Sequence, residues 1–231
     1  MEKLIYLTWK PEAQAIAAYR QRLLEEVAPR LLAAGVQALN VSIADTQEQI
    51  PKPTLLMGEG ATLSAAIGLW LPSLDARGPV EGALRQGADR VDGYLVTESV
   101  PQPCPDRDWL DGAQSPGVTH FTWFPKPDHL SDEAFYHGWH EIHTPSSFEL
   151  HPLRWEYVRN AVARVLTPGS PPIRAIVAER FRTIEDYTDP DRLYGSKEAL
   201  KRTVEELPLY GDMAQMHSTP LSEVIVRSLG A

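Results

Sequence analysis

Between His120 and Pro145 the chain reads HFTWFPKPDHLSDEAFYHGWHEIHTP, which concentrates imidazoles and indoles in one short stretch. His143 lies four residues after Trp139 and two before Pro145. An imidazole near a helix end and bordered by aromatic rings can give or take a proton near neutrality. The chemistry that suits it is general acid–base work. His120 and Tyr157 are candidates for polarising a substrate oxygen, and Trp123, Trp139, Tyr136 and Trp155 for the pocket wall. The bland alternative is that Trp139 closes a core and His143 bonds a backbone carbonyl.

Ser131, followed by Asp132 and Glu133, is a good N-cap with acids at the positive helix end. At about 100° per residue, Phe135, Trp139, Ile142 and Ser146 form one core-facing stripe. Tyr136 and His143 then fall on its flank, His140 further round, and His137 toward solvent. Pro145 is expected to loosen the helix around Thr144. His137, His140 and His143 spread over about 240° of helix circumference, so no metal site is expected of them. His151 and His217 stand alone and read as structural histidines. No haem attachment motif occurs, and no cofactor is expected.

The rest of the chain must position these groups. Lys3 to Trp9 reads as a strand, and Glu12 to Ala34 as an amphipathic helix stopped by Gly35 and kinked or ended early by Pro29. Val36 to Ala44, Leu63 to Leu71 and Val91 to Val100 read as strands, with a helix over Pro79 to Arg90 and a polar connection TQEQIPKPTLL from Thr46. The order then recurs. Val118 to Phe124 is a strand, Ser131 to Phe148 a helix, Trp155 to Leu166 and Ile173 to Phe181 strands, and Ser196 to Leu207 a helix. Met213 to Arg227 holds a last strand expected to break near Pro220. YLTW at Tyr6 to Trp9 matches HFTW at His120 to Trp123.

The predicted fold class is therefore α+β, as two tandem ferredoxin-like βαββαβ units, 1–103 and 117–231, joined by a Pro-rich linker at 104–116. Each such sheet leaves one face apolar and uncovered, and the two can cover each other to enclose a barrel-like interior.

Composition excludes several classes. A net charge of −9 with scattered basic residues argues against nucleic acid. No apolar run approaches a membrane span, and no secretory signal is read at the N-terminus. The single Cys104, in the linker, fits a reducing compartment and a cytoplasmic protein. A homodimer is compatible with this reading.

The stretch SDEAFYHGWHEIHTPSSF resembles the EthD family signature, a strand followed by a helix carrying W-x-x-x-H-x-P, here Trp139, His143 and Pro145. RWEYVRNAV, Arg154 to Val162, is similar to that family's second strand. The resemblance covers roughly 117 to 227 and implies a dimeric α/β barrel of two ferredoxin-like units. It also implies a small apolar cavity for an aromatic or polyketide-like ligand, in relatives assigned as decarboxylases, cyclases or cofactor-free monooxygenases. The first half lacks the Trp-x-x-x-His-x-Pro pattern, so one site per chain is expected. The chemistry expected first is a lyase with His143 as acid/base. A binding protein without turnover and a cofactor-free monooxygenase are the alternatives.

Overall fold

The computed structural model describes residues 1–46, 50, 62–104 and 107–230. The connection expected from Thr46 lies outside these residues apart from Thr46 and Ile50. Eight antiparallel strands form one closed barrel: β1 (Glu2–Trp9), β2 (Ala38–Ile43), β3 (Ala65–Leu71), β4 (Arg90–Gln102), β5 (Val118–Phe124), β6 (Arg154–Val165), β7 (Ala175–Phe181) and β8 (His217–Arg227). Their order around the barrel is β1-β3-β2-β8-β5-β7-β6-β4. The first four strands are thus contiguous in space, as are the last four. The two sets meet edge to edge, β2 on β8 and β4 on β6, rather than stacking face on face. Closure of this kind leaves no free strand edge.

Helices cover the outside. α1 (residues 16–33) lies over the first four strands with α2 (Gly78–Arg85). α3 (residues 132–150) lies over the last four with α6 (Lys197–Glu206). The short α4 (Ile184–Thr188) and α5 (Pro190–Leu193) were not anticipated from sequence. Among the described residues no helix is long and apolar enough to cross a membrane.

Period-two alternation sorts side chains between the lumen and the helical layer. Ile5, Leu7, Phe121, Trp123 and Ile176 point inward to one apolar cluster. Tyr6 and Leu4 face α1, and Phe124 faces α3.

Two expectations fail for local reasons. β8 runs unbroken through Pro220, which pairs with His120 on one side, while pairing with β2 begins only at Ser222. The missing amide therefore faces no ladder partner. Pro29 does not end its helix, while before Pro145 the helix loosens at Thr144 as expected. α1 and α3 each contain a wide turn, Leu23–Val27 and His137–His143, in which the backbone bonds i→i−5. Ala28 N–H donates to Leu23 O just before Pro29, and Thr144 N–H to Trp139 O just before Pro145. A proline cannot donate to the carbonyl four residues back and crowds it; one extra residue in the preceding turn absorbs both problems and lets the helix continue. The linker is not structureless throughout: Gln114 bridges to Val224, and the Gly112 and Ser115 amides donate to Ile225 and Glu223 carbonyls.

Candidate functional site

The wide turn in α3 decides which side chains reach the core. In a turn that takes one extra residue, position i+4 returns nearly over i and i+3 swings aside. His143 accordingly comes under Trp139 and is 8% exposed, while Ile142, expected in the core, is 37% exposed. Ser131 caps the helix as expected, its Oγ accepting from Ala134 N–H at 3.1 Å. Trp139 is buried against Phe124 and Phe135, with ring centroids at 5.9 and 5.7 Å.

Beneath α3 and α6, on the outer face of β5-β7-β6, lies a cavity of about 180 Å³. Register places His120 opposite Glu179 and Glu179 opposite Tyr157, so these three form one row across its floor. Trp139, His143 and Tyr210 close the sides. Leu200, Val204 and Met213 are part of its lining and are themselves 37%, 49% and 49% exposed, which marks an apolar mouth at α6.

Electrostatics set the protonation states. Burial opposes the charge of Glu179, but Arg154, His151 and His120 outweigh it and hold the carboxyl down at about 2. Arg154 Nη1 donates to Glu179 Oε1 at 2.6 Å, and its guanidinium lies 4.2 Å from the Tyr157 ring centre. Burial lowers His120 to about 4 and also lowers His151, against the pull of Glu179 in each case. Burial raises the Tyr157 hydroxyl to about 12.

His143 is lowered by burial, with Glu179 and Glu206 opposing. Its Nδ1 stands 3.2 Å from Glu206 Oε2. Burial pushes Glu206 up, but bonds from Ser146, His143 and Arg202 prevail and keep it below the usual carboxylate range. Burial favours the neutral imidazole, and the tautomer that donates Nδ1–H to the Glu206 carboxylate has Nε2 as its basic nitrogen, on a ring that lines the cavity. Tyr210 packs on the same ring at 4.5 Å.

His120 is differently placed. Its Nδ1 contacts Tyr187 Oη and its Nε2 contacts Thr122 Oγ1, both at 3.1 Å, so both nitrogens are engaged. His151 bonds Leu193 O through Nδ1 at 3.1 Å.

Of the residues singled out in the sequence, His143, His120, Tyr157 and Trp139 share the cavity. Trp123 does not, because it points into the lumen, where it stacks on His217 at 5.3 Å. Tyr136 packs on the outer side of Trp139, its hydroxyl accepting from Arg174. Trp155 sits outside, against the linker's Trp109 and Arg182. Sequence reasoning missed Glu179, Glu206 and Arg154. For Glu179 a signal existed: in Val177, Glu179, Phe181 a carboxylate occupies a core-facing strand position. His140 is partly buried with Nε2 unpartnered, and His137 is exposed beside Glu141. Among the described residues no cluster of three or more His, Cys, Asp or Glu could hold a metal ion.

No protein-family profile matches the chain, and no curated protein matches it. Solved structures do match. An anthrone oxidase-like protein aligns with a TM-score of 0.60 over 100% of this chain and 93% of its own, at 14% identity. The closed eight-stranded antiparallel barrel with helices outside is a fold this chain shares with that protein. A proposed monooxygenase from Lactobacillus acidophilus NCFM aligns at TM-score 0.53 and 11% identity, over 98% of this chain and 96% of that one. A second, from Fusobacterium nucleatum subsp. nucleatum ATCC 25586, aligns at 0.53 and 8%, over 98% and 92%. Identities this low speak for the fold alone.

Proposed function

We propose that the cavity beneath α3 and α6 is the active site of a cofactor-independent acid–base enzyme, a lyase of decarboxylase, cyclase or dehydratase type acting on a small aromatic or polyketide-like substrate. The observation that carries this reading is that His143, which lines a largely apolar cavity, is backed by the Glu206 carboxylate at 3.2 Å. In a dehydration His143 Nε2 takes the proton of the carbon acid, the Glu206 carboxylate stabilises the imidazolium, and as the neighbouring C–O bond breaks the same nitrogen gives that proton to the departing hydroxide, which leaves as water. In a decarboxylation the C–C bond breaks first, CO2 leaves, and a protonated His143 gives its proton to the carbanion. Such a group is worth about 10²–10⁴-fold in rate. Size favours one ring inside: an engineered cavity of about 150 Å³ admits benzene. Leu200, Val204 and Met213 would let the remainder of a larger molecule extend outward. Tyr157 hydroxyl, protonated at neutral pH, is the donor for a substrate oxygen, and Trp139 the wall.

We read the chain as a tandem pair of ferredoxin-like units, the second EthD-like. Each set of four strands has the order fourth-first-third-second, and both long helices carry a wide turn before a proline. Matching prolines and strand registers sets Val27, Leu23, Tyr6, Ile67 and Val41 in the first half where the second has His143, Trp139, His120, Glu179 and Tyr157. Those five first-half residues are packed in a filled core, which supports one site per chain.

A second reading is cofactor-free oxygenation. The anthrone oxidase-like and monooxygenase-like descriptions of the structural neighbours favour it, and the first step would be the same proton abstraction, with dioxygen consuming the carbanion.

Native mass spectrometry of the purified protein should reveal a retained ring compound, whose turnover is then assayed. His143→Gln should lose that turnover with unchanged thermal stability. Full activity in that variant overturns the assignment, and ligand retention without turnover in the native protein converts the reading to a binding protein.

A further inference from the structure

The likeness of YLTW at Tyr6 to Trp9 and HFTW at His120 to Trp123 has a counterpart in space that the His143 cavity does not use. Trp9 and Trp123 stand at matching places near the ends of β1 and β5, and both turn into the lumen, 9% and 7% exposed. Each is paired in register with the residue that begins the fourth strand of its own half, Trp9 with Arg90 on β4 and Trp123 with His217 on β8. The Arg90 guanidinium lies 4.3 Å from the centre of the Trp9 ring. The His217 ring stacks on Trp123 at 5.3 Å, 13° from parallel. Two indoles at equivalent positions thus hold two flat nitrogenous groups at one end of the barrel.

These four residues line a cavity of about 790 Å³, within the usual range of small-molecule sites. Pro125, Pro171, Pro172 and Ile173 give it apolar walls. Among the described residues its charged lining is Arg90, Lys126 and Arg174 against the exposed Asp128. The cations' own partners lie outside that lining. Asp92, 4% exposed, accepts from Arg90 Nη2 at 2.5 Å, and Asp132 meets Arg174 at 2.9 Å and Lys126 at 3.9 Å. Three cations are therefore balanced by three carboxylates, yet it is the cations that line the space, and the Arg90 side chain is 52% exposed. Burial and the nearby Arg90 lower the His217 pKa, so its ring is neutral at pH 7. A guanidinium fixed flat on an indole stacks well on an aromatic ring, and three lining cations favour a ring that carries negative charge. A cationic ligand would meet repulsion from them.

We propose that this end of the lumen binds an aromatic carboxylate, its ring laid on Arg90 and His217 and its charge answered by Arg90, Lys126 and Arg174. No lining residue is shared with the His143 cavity, which lies on the outer face of the sheet. Trp123 faces the one space and Phe124 the other.

The test uses 2-naphthoate as probe, with 2-naphthylmethanol, 2-naphthylmethylammonium and cyclohexanecarboxylate as neutral, cationic and non-aromatic controls. Each is titrated calorimetrically into the full chain at pH 7. Saturable binding of 2-naphthoate is expected, at least tenfold tighter than any control and weakened at least tenfold by Arg90→Gln. In the native protein the His217 ring resonances should move along the same saturation curve, a readout that does not depend on whether the Arg90 variant folds without a partner for Asp92. No saturable binding, a control that binds as tightly, undiminished binding by a folded Arg90→Gln, or a His217 ring that stays still at saturation would overturn the proposal. If the His143 ring moves in place of His217, the probe has found the other cavity and this site is refuted while that one stands.

Discussion

Nδ1 of His143 stands 3.2 Å from Oε2 of Glu206, a residue 63 positions further along the chain. Two helices that meet only in the folded protein thus bring the imidazole and the carboxylate together, and Ser146 and Arg202 fix the carboxylate. Glu206→Gln should lower turnover tenfold or more. It should also move the acidic limb of the pH–rate profile to lower pH, because Glu206 is one of the groups holding the imidazolium up. A merely structural carboxylate would cost stability without moving that limb.

Acid should destabilise the fold in two windows. His120, His143 and His151 have folded-state pKa values depressed below 6.5, His120 to about 4. The unfolded chain then binds more protons than the native one, so stability falls as pH drops from about 6.5 toward 4. Glu179, depressed to about 2, adds a further loss from about 4.5 downward, as the carboxylate that Arg154 requires becomes protonated. Thermal melts from pH 7 to 3 should show Tm declining throughout, and His120→Asn should flatten the upper window. A flat Tm between pH 7 and 5 would contradict the buried, neutral histidines.

Arg154 has a fully buried side chain, and Glu179 is its charge partner. Glu179→Gln strands that guanidinium, so urea denaturation should show a loss of about 3–5 kcal/mol, as for one broken partner of a buried pair. Replacing both by leucine should recover much of it.

Two glycines in helices should respond oppositely to alanine. At Gly138 an added Cβ would lie 2.2 Å from Leu209 O, so Gly138→Ala must push α3 off the segment after α6 and widen the cavity roof. Stability and ligand retention should both fall. At Gly82, exposed in α2, a Cβ meets nothing within 4 Å, and Gly82→Ala should stabilise by about 0.5–1 kcal/mol. Denaturant midpoints of the two variants check the pair.

Strand positions were readable because β-branched and aromatic residues concentrate in short runs such as Val118–Phe124, which is buried over almost its whole length. Which edges would join was not readable, since β2 meeting β8 depends on ladder groups common to every residue. In α3 a uniform 3.6-residue turn exchanged the fates of Ile142 and His143, because Pro145 imposes a wide turn that periodicity does not reveal. Trp123 was assigned to the cavity on its neighbours in sequence, yet pleating sends it to the lumen. Glu206 lies on another helix, and nothing local links it to His143.

The most direct test of the central claim is nitrogen-15 NMR of the His143 ring in the full chain at pH 7, with and without saturating phenol as a one-ring probe. The account predicts a neutral ring protonated on Nδ1, with an Nε2 resonance that shifts as phenol fills the cavity. A doubly protonated ring, or an Nε2 signal indifferent to bound phenol, would contradict it.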